Sequence, residues 1–382
     1  MTPQTNTAAW IPTKYARLQV GPAPYPMAGP GEIVVRNHAV AINPVDWGKQ
    51  LMGDLLMGYV RYPFILGGDV AGEVVQVGSG VHGFRVGDRV MGCGMALAPT
   101  VNRAAEGAFQ QYVILREHLA VPIPAPVSYE QASVLPLTLC TAAYGLFHAD
   151  FLGLDMPTVP ARANPRGRAV IVTGGASSVG SNAVQLAVAA GYAVYSTCSA
   201  KNFNYVLGLG AAAVLDYHDA RWTDQLTEML RGKPVYGAYA VGDGSVEACT
   251  KILAQLSKEG DEQNVQKRIA YAGFSVPAAR LRTWLGTAGV LASAIGWFGR
   301  TAVSSWTSGV QSKFVDTKDL DKPGMANVVS RVLADFVAPG LLSQQFVPAP
   351  EPEVVGRGLE SIQRAMDIQA RGVSARKIVV QL

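Results

Sequence analysis

From about residue 169 onward, short apolar runs alternate with helical spacing. Residues 169–173 are apolar or β-branched, as in a strand buried on both faces. From Ala183, apolar residues recur at i+3, i+4 and i+7, and Gly191 follows at the place of a helix C-terminal cap. Residues 193–198 predict a second strand. The order strand, glycine-rich turn, helix, strand is typical of the first half of a dinucleotide-binding fold.

The rest of the pattern predicts two domains of different kinds. Residues 32–115 hold short strand-like runs joined by glycine turns, with little helix, which indicates a β-rich domain. Strand–helix units continue through residues 213–215, 235–241 and 268–273, and short strand-like pieces return near residue 345. We therefore predict an α/β protein with a β-rich domain of residues 1–130, closed by residues 341–382, and a doubly wound parallel-sheet (Rossmann) domain of residues 131–340.

Composition narrows the class of protein. The 382 residues are 49% hydrophobic and 16% charged, which disfavours disorder and leaves room for two cores. A net charge of +4 without a long basic run argues against nucleic acid as the main partner.

Cysteine usage and targeting signals indicate the compartment. The four cysteines lie far apart and form no C-x-x-C, so neither a disulfide framework nor a cysteine zinc knuckle is predicted. The N-terminal residues lack the pattern of a secretory signal, and we expect a cytoplasmic protein. Residues 283–299 are uncharged but diluted by glycine, which predicts a buried or interface segment within the fold rather than a membrane span.

The turn after the first Rossmann strand has the composition of a pyrophosphate site. Gly175 and Gly180 occupy the first and third places of G-x-G-x-x-G, and Ser177 occupies the second. Backbone N–H groups at the following helix N-terminus favour an anion. The alternative is a tight strand-to-helix connection without a ligand. The predicted pyrophosphate residues are Gly175, Ala176, Ser177, Ser178, Val179 and Gly180.

The tip of the second Rossmann strand predicts which dinucleotide binds. NAD enzymes usually place a carboxylate there for the ribose 2′-OH. This chain has Ser199, Lys201 and Asn202 instead, which would attract the 2′-phosphate of NADP. The alternative for Lys201 is a solvated lysine on a surface loop.

Motifs along nearly the whole chain resemble the medium-chain dehydrogenase/reductase superfamily. Their order and spacing match outside residues 96–106 and 280–312. The resemblance implies a GroES-like N-terminal catalytic domain followed by the Rossmann domain. The motifs are Gly31-Glu32, Asn43-Pro-Val-Asp46, Leu66-Gly-Gly-Asp-Val-Ala-Gly72, Val86-Gly-Asp-Arg-Val90, Gly107-x-Phe-x-x-Tyr112, Leu135-Pro136, Thr141-Ala142 and Gly372-Val-Ser-Ala-x-Lys377-Ile-Val.

Within that superfamily, the chain resembles the zinc-independent branch. Zinc alcohol dehydrogenases of the family carry a cysteine where this chain has Asn43 and a histidine where it has Gly68, so no metal is expected. This branch includes quinone oxidoreductases and enoyl reductases of polyketide pathways. It implies an NADPH-dependent reduction of an activated C=C bond in secondary metabolism.

Without zinc, side chains must stabilise charge on the substrate oxygen or donate a proton. The candidates are Asn43, Lys49, Thr138 and Thr141, which the resemblance places in the cleft between the domains. Asn43 could instead form a turn before Pro44, and the threonines could cap a helix. Lys49 resembles the lysine of polyketide enoyl reductases but lies one place late, and a solvated surface lysine is the alternative.

Further cofactor contacts are expected after the later Rossmann strands, because ligands bind at the carboxyl ends of parallel strands. Tyr217 also resembles the family tyrosine close to the adenosine phosphate. The predicted residues are Tyr217, Val241, Gly242, Gly273 and Phe274.

The function predicted from the sequence is a zinc-independent NADP-dependent oxidoreductase that reduces an enone, a quinone or an enoyl thioester. The alternatives are a protein of the same fold that binds NADP without turnover, or one that catalyses a non-redox biosynthetic step. The expected partner is a small apolar substrate of polyketide type, with no nucleic acid and no membrane span. Both a monomer and a homodimer remain open.

Overall fold

The computed structural model describes residues 5–259, 264–273, 278–281, 283–316, 320–321 and 325–382. Contacts divide the chain into two compact units, one from residues 1–140, 277–282 and 317–382 and the other from residues 141–276 and 283–316. The sequence instead assigned residues 131–140, 277–282 and 317–340 to the second domain. Residues 325–337 fall in the first unit because they pack against residues 117–122.

The strands and the helices are numbered separately, each in chain order. The strands are β1 (Asn6–Ile11), β2 (Gln19–Ala23), β3 (Glu32–Ala41), β4 (Phe64–Ile65), β5 (Asp69–Val77), β6 (Arg89–Cys93), β7 (Tyr112–Arg116), β8 (Ala120–Pro122), β9 (Ala169–Val172), β10 (Ala193–Cys198), β11 (Ala213–Asp216), β12 (Val235–Val241), β13 (Arg268–Ala272), β14 (Gln311–Phe314), β15 (Glu351–Arg357) and β16 (Arg376–Gln381). The helices are α1 (Pro44–Met52), α2 (Tyr129–Ser133), α3 (Pro136–Phe147), α4 (Ser178–Ala189), α5 (Phe203–Gly208), α6 (Trp222–Leu230), α7 (Ser245–Glu259), α8 (Ala278–Leu281), α9 (Trp284–Ser308), α10 (Met325–Arg331), α11 (Ala338–Leu342) and α12 (Ile362–Gln369).

The first unit is built on a seven-stranded sheet. Its order is β15-β16-β3-β5-β6-β8, and β7 also pairs with β3. All the pairings except β15 with β16 are antiparallel. Val380 lies opposite Val40, so the C-terminal strand adds to the sheet formed by the N-terminal residues. Residues from both ends of the chain share one apolar core, including Ile33, Val74, Phe109 and Ile378.

The second unit has a six-stranded parallel sheet in the order β11-β10-β9-β12-β13-β14. This is the doubly wound order of a Rossmann domain, which confirms the predicted fold class. The predicted helix face is fully buried, because Ala183, Leu186, Ala187 and Ala190 have no exposed surface. Gly191 has a φ of 83°, the left-handed conformation expected after the helix.

The uncharged segment predicted to be buried forms much of α9. One side of this helix packs on the sheet, where the Trp297 ring lies 5.5 Å from that of Tyr271. Ala288, Ala292 and Ser293 of the same segment are exposed, so the prediction holds only for part of it. Among the residues that the structure describes, no helix is long and apolar enough to cross a membrane.

Candidate functional site

The carboxyl ends of the central Rossmann strands lie at one edge of the sheet. Register places Val172 beside Ser196, Cys198 beside Asp216, and Val241 beside Ala272. The described residues among the predicted cofactor contacts follow these strand ends, so parallel pairing brings them to a common edge.

The turn between β9 and α4 requires glycine for close packing. A Cβ on Gly175 would lie 2.3 Å from Ser196 Oγ on the next strand. A Cβ on Gly180 would lie 2.1 Å from the Gly174 carbonyl oxygen, and Gly174 itself has a φ of 63°. The turn thus needs a left-handed residue at Gly174 and no side chain at Gly175 or Gly180.

The start of α4 fits an anion such as a pyrophosphate. Ser177 is the N-cap, and its Oγ accepts a hydrogen bond of 3.0 Å from Gly180 N–H. The N–H groups of Ser178 and Val179, at the first two positions of the helix, have no acceptor one turn earlier in α4. Since the helix dipole favours negative charge at this end, these groups fit a phosphate of a dinucleotide. The capping role of Ser177 was missed, although a serine three residues before the second close-packed glycine is a recognisable cap signal.

The loop after β10 contacts the end of β11. Ser199 Oγ and Tyr217 Oη are 3.1 Å apart, so two predicted cofactor residues meet. Lys201 is exposed, whereas Asn202 is only 9% exposed. The polar side chains that are at least partly exposed here are therefore Ser199 and Lys201 of the loop and Tyr217 after β11.

The ends of β9 and β12 are joined by a threonine. Thr173 Oγ1 accepts a hydrogen bond of 2.8 Å from Val241 N–H and donates one of 3.1 Å to the Val241 carbonyl. Gly242 follows with a φ of 106°, and Gly273 after β13 has a φ of 83°. Phe274 lies outside the described residues.

The first unit contains a buried polar cluster around Asn43. The side chain of Asn43 donates through Nδ2 to Asp69 Oδ2 at 2.7 Å and accepts at Oδ1 from Lys377 Nζ at 2.6 Å. Lys377 Nζ is also 3.1 Å from Asp69 Oδ2, and Leu137 N–H donates to Asp69 Oδ1 at 2.7 Å. Asn43 was predicted from the sequence as a site residue, whereas Lys377 was not, although it stands in one of the family motifs. The cluster fixes both ends of the Asn43 amide.

Asp46 adds a second buried carboxyl beside this cluster. Its Oδ2 accepts a hydrogen bond of 2.7 Å from Asn43 N–H, while Oδ1 has no hydrogen-bond partner among the described residues. Burial raises the pKa of Asp46 to about 7, and the nearby Asp69 carboxylate contributes in the same direction. The group therefore changes protonation in the neutral range.

Lys49 is fully buried, so the interpretation of this residue as a solvated surface lysine is wrong. Its Nζ donates to the carbonyls of Gly53, Leu56 and Met57 at 2.9, 3.0 and 3.1 Å. Burial lowers the pKa of Lys49. These bonds use the three donors of an ammonium group and hold together the chain that follows α1.

The two threonine candidates lie on α3. Thr138 Oγ1 donates a hydrogen bond of 3.1 Å to the carbonyl of Leu135, the residue just before the helix. The carbonyl of Thr141 accepts a hydrogen bond of 2.9 Å from Tyr239 Oη. Both side chains are buried, at 5% and 8% exposure. A hydroxyl hydrogen bond to the preceding turn is a common structural role for threonine in a helix.

Titratable side chains are not clustered as a metal site in the described part of the chain. No group of three His, Cys, Asp or Glu side chains could hold a metal ion there. Asn43 and Gly68 stand where the zinc branch has ligands, and Lys377 places an ammonium beside Asn43.

Comparisons with known proteins identify the family. Residues 29–125 match the model of the alcohol dehydrogenase GroES-like domain. The chain is 44% identical to the dehydrogenase pigH of Monascus ruber, covering 99% of this chain and 100% of that protein. It is 35% identical to the trans-enoyl reductase himH of Aspergillus japonicus, covering 99% and 97%.

Solved structures show the same fold. The chain aligns with a mycobacterial protein complexed with NADPH, Rv1454c, with a TM-score of 0.63 and 21% identity over 99% of this chain and 100% of that one. The identity with pigH over the full length decides the family. The chain belongs to the medium-chain dehydrogenase/reductase superfamily and is an oxidoreductase of that superfamily.

Proposed function

We propose that the protein is a zinc-independent, NADPH-dependent reductase of an activated C=C bond in secondary metabolism. The observation that carries the cofactor assignment is the loop after β10, where Ser199 and Lys201 stand in place of a carboxylate and Ser199 meets Tyr217 at 3.1 Å. A relative named trans-enoyl reductase, 35% identical over nearly the whole chain, supports the reaction class. The substrate is an enone, a quinone or an enoyl thioester.

One set of residues binds the cofactor, and another stabilises the charge that develops on the substrate. The bound cofactor supplies a hydride from C4 of its nicotinamide. The N–H groups at the start of α4 bind the pyrophosphate, and the loop after β10 binds the 2′-phosphate. Gly242 and Gly273 leave the backbone open at the strand ends, since a Cβ on Gly273 would meet nothing within 4 Å.

Charge that develops on the substrate oxygen needs a donor fixed in advance. Asn43 suits this role, because its amide is held by Asp69 and Lys377 and keeps a second Nδ2 hydrogen. Thr138 and Thr141 remain further candidates. Lys49 is a weaker one, since its ammonium already donates to three carbonyls.

The cofactor assignment is tested by binding. The dissociation constants of NADPH and NADH are measured for the wild type, Lys201→Ala and Lys233→Ala. Lys233 is also exposed but precedes β12, at the opposite edge of the sheet, and is the matched control. Loss of a charge-assisted contact of about 1.5–3 kcal/mol predicts that Lys201→Ala binds NADPH roughly tenfold or more weakly and NADH unchanged. Equal effects on both dinucleotides would contradict the assignment.

The reaction class is tested by turnover. We expect NADPH consumption, followed at its absorbance band, with at least one of a panel of enones, quinones and acyl thioesters. Tight NADPH binding without consumption across the panel would favour binding without turnover or a non-redox step.

A further inference from the structure

A carboxylate lies next to the loop proposed to bind the 2′-phosphate. Asp216 ends β11 and is in register with Cys198, directly before the loop. It accepts a hydrogen bond from the backbone N–H of Ala200, inside the loop. A carboxylate in contact with this loop would repel a phosphate bound there.

The charge of Asp216 is engaged by His218. Asp216 Oδ1 accepts a hydrogen bond of 3.0 Å from the backbone N–H of His218 and lies 2.7 Å from His218 Nδ1. Because an ionised carboxylate only accepts hydrogen bonds, Nδ1 of the imidazole carries the proton of this contact. The hydrogen bonds from His218, followed by that from Ala200, hold the pKa of Asp216 below its usual range, so the carboxylate is ionised at neutral pH.

His218 also belongs to the same surface cluster as the loop. Its ring centroid lies 4.3 Å from that of Tyr217, whose hydroxyl contacts Ser199. His218 is therefore placed to act on the Asp216 charge within the surroundings of the 2′-phosphate site.

We propose that His218 is a specificity-determining residue for the cofactor, which screens the Asp216 carboxylate so that the loop after β10 accepts a 2′-phosphate. Asp216 then serves as an anchor for the Ala200 N–H without excluding the phosphate. This inference rests on the proposed preference for NADPH. It assigns discrimination to a residue two positions beyond the strand and not only to Lys201.

The test uses two fragments that differ by one phosphate, adenosine 2′,5′-bisphosphate and 5′-AMP, with affinities measured by calorimetry. One pair of unit charges about 4 Å apart is worth about 1 kcal/mol in water, which corresponds to roughly fivefold and is the upper limit for unscreened repulsion by Asp216. His218→Ala should therefore bind the bisphosphate about two- to fivefold more weakly and 5′-AMP as tightly as the wild type. Lys233→Ala is the control and should change neither affinity.

A second variant separates screening from loss of a contact. The Asp216→Asn substitution keeps an acceptor for the Ala200 N–H but removes the charge. The double variant His218→Ala/Asp216→Asn should bind the bisphosphate within twofold of the wild type. The proposal is overturned if His218→Ala leaves the bisphosphate affinity unchanged, if it weakens both fragments equally, or if the double variant stays as weak as the single one.

A different result would contradict the proposed preference for NADPH itself. A wild type that binds the two fragments equally would contradict the assignment of NADPH, and the proposed role of His218 would fall with it. A wild type that prefers the bisphosphate, with an unaffected His218→Ala, would overturn only the inference.

Discussion

At the scale of single residues, the buried carboxyl of Asp46 makes the free energy of unfolding depend on pH. Its carboxyl has a pKa of about 7 in the folded protein, mainly because of burial, against about 3.9 for an exposed aspartate. The folded state therefore holds a proton up to about pH 7 that the unfolded chain releases near pH 4. Folding takes up this proton in between, so the free energy of unfolding falls as the pH rises from 4 to 7.

Asp46→Asn should remove this part of the pH dependence. The difference between a pKa of about 7 in the folded state and about 3.9 in the unfolded state corresponds to about 4 kcal/mol. The wild type loses this stability between pH 4 and 7, but the variant does not. The amide oxygen of Asn can still accept from Asn43 N–H, the bond that Asp46 Oδ2 makes at 2.7 Å. Chemical denaturation at several pH values measures the difference between the two proteins.

Asp335→Asn is the control for that series, because the Asp335 side chain is 68% exposed. Its pH dependence should match that of the wild type. If Asp46→Asn also follows the wild type at every pH, the buried carboxyl does not hold the proton that its environment indicates.

At the scale of elements, Lys49 stabilises the chain that follows α1. Its three hydrogen bonds gather the carbonyls of Gly53, Leu56 and Met57 around one buried ammonium. The same lysine lies 3.9 Å from Asp54, which Lys14 approaches from the solvent side at 3.7 Å. The two lysines thus share a carboxylate but differ in burial.

Lys49→Met should lower the free energy of unfolding by about 3 kcal/mol, because the carbonyls lose a charged donor and stay partly buried. Lys14→Met, at a side chain that is 57% exposed, should change it by less than about 1 kcal/mol. Thermal or urea denaturation measures both. If Lys49→Met keeps its stability yet loses turnover, the residue is catalytic rather than structural.

The strands and helices also show which elements the hydrophobic pattern predicts correctly and which it does not. The strands at residues 193–198 and 235–241 match β10 and β12, since a parallel strand buried on both faces has a continuous apolar run. The pattern of residues 32–115 predicts little helix, with a turn before Pro44 as one alternative, yet α1 begins at Pro44 with Asn43 as its N-cap. Proline at the first helical position is a known start signal, which could have indicated this helix.

At the scale of the whole molecule, the fold class and the family could be predicted because motifs extend along nearly all of the chain. The polar cluster could not, because it joins residues 334 positions apart, as in the bond from Lys377 to Asn43. Pairings of that kind depend on how β16 and β3 meet, which local periodicity does not encode. The same holds for Asp216 and His218, whose effect on the loop depends on the register of β10 with β11.

The polar cluster also leads to a prediction about metal content. Lys377 Nζ lies 2.6 Å from Asn43 Oδ1 and 3.1 Å from Asp69 Oδ2, so a buried positive charge already neutralises the carboxylate. A divalent cation beside this ammonium would be repelled, and Asn43 and Gly68 supply no thiolate or imidazole to offset the repulsion.

We expect well below one zinc ion per chain by elemental analysis of the purified protein. Prolonged treatment with a chelator should leave both the melting temperature and NADPH binding unchanged, since neither depends on a metal held by this cluster. One zinc ion per chain, with activity that is lost on chelation and returns on adding zinc, would contradict the assignment to the zinc-independent branch. It would also mean that Asn43, Asp69 and Lys377 rearrange to admit the metal, because their present hydrogen bonds leave the Asn43 oxygen engaged with the lysine.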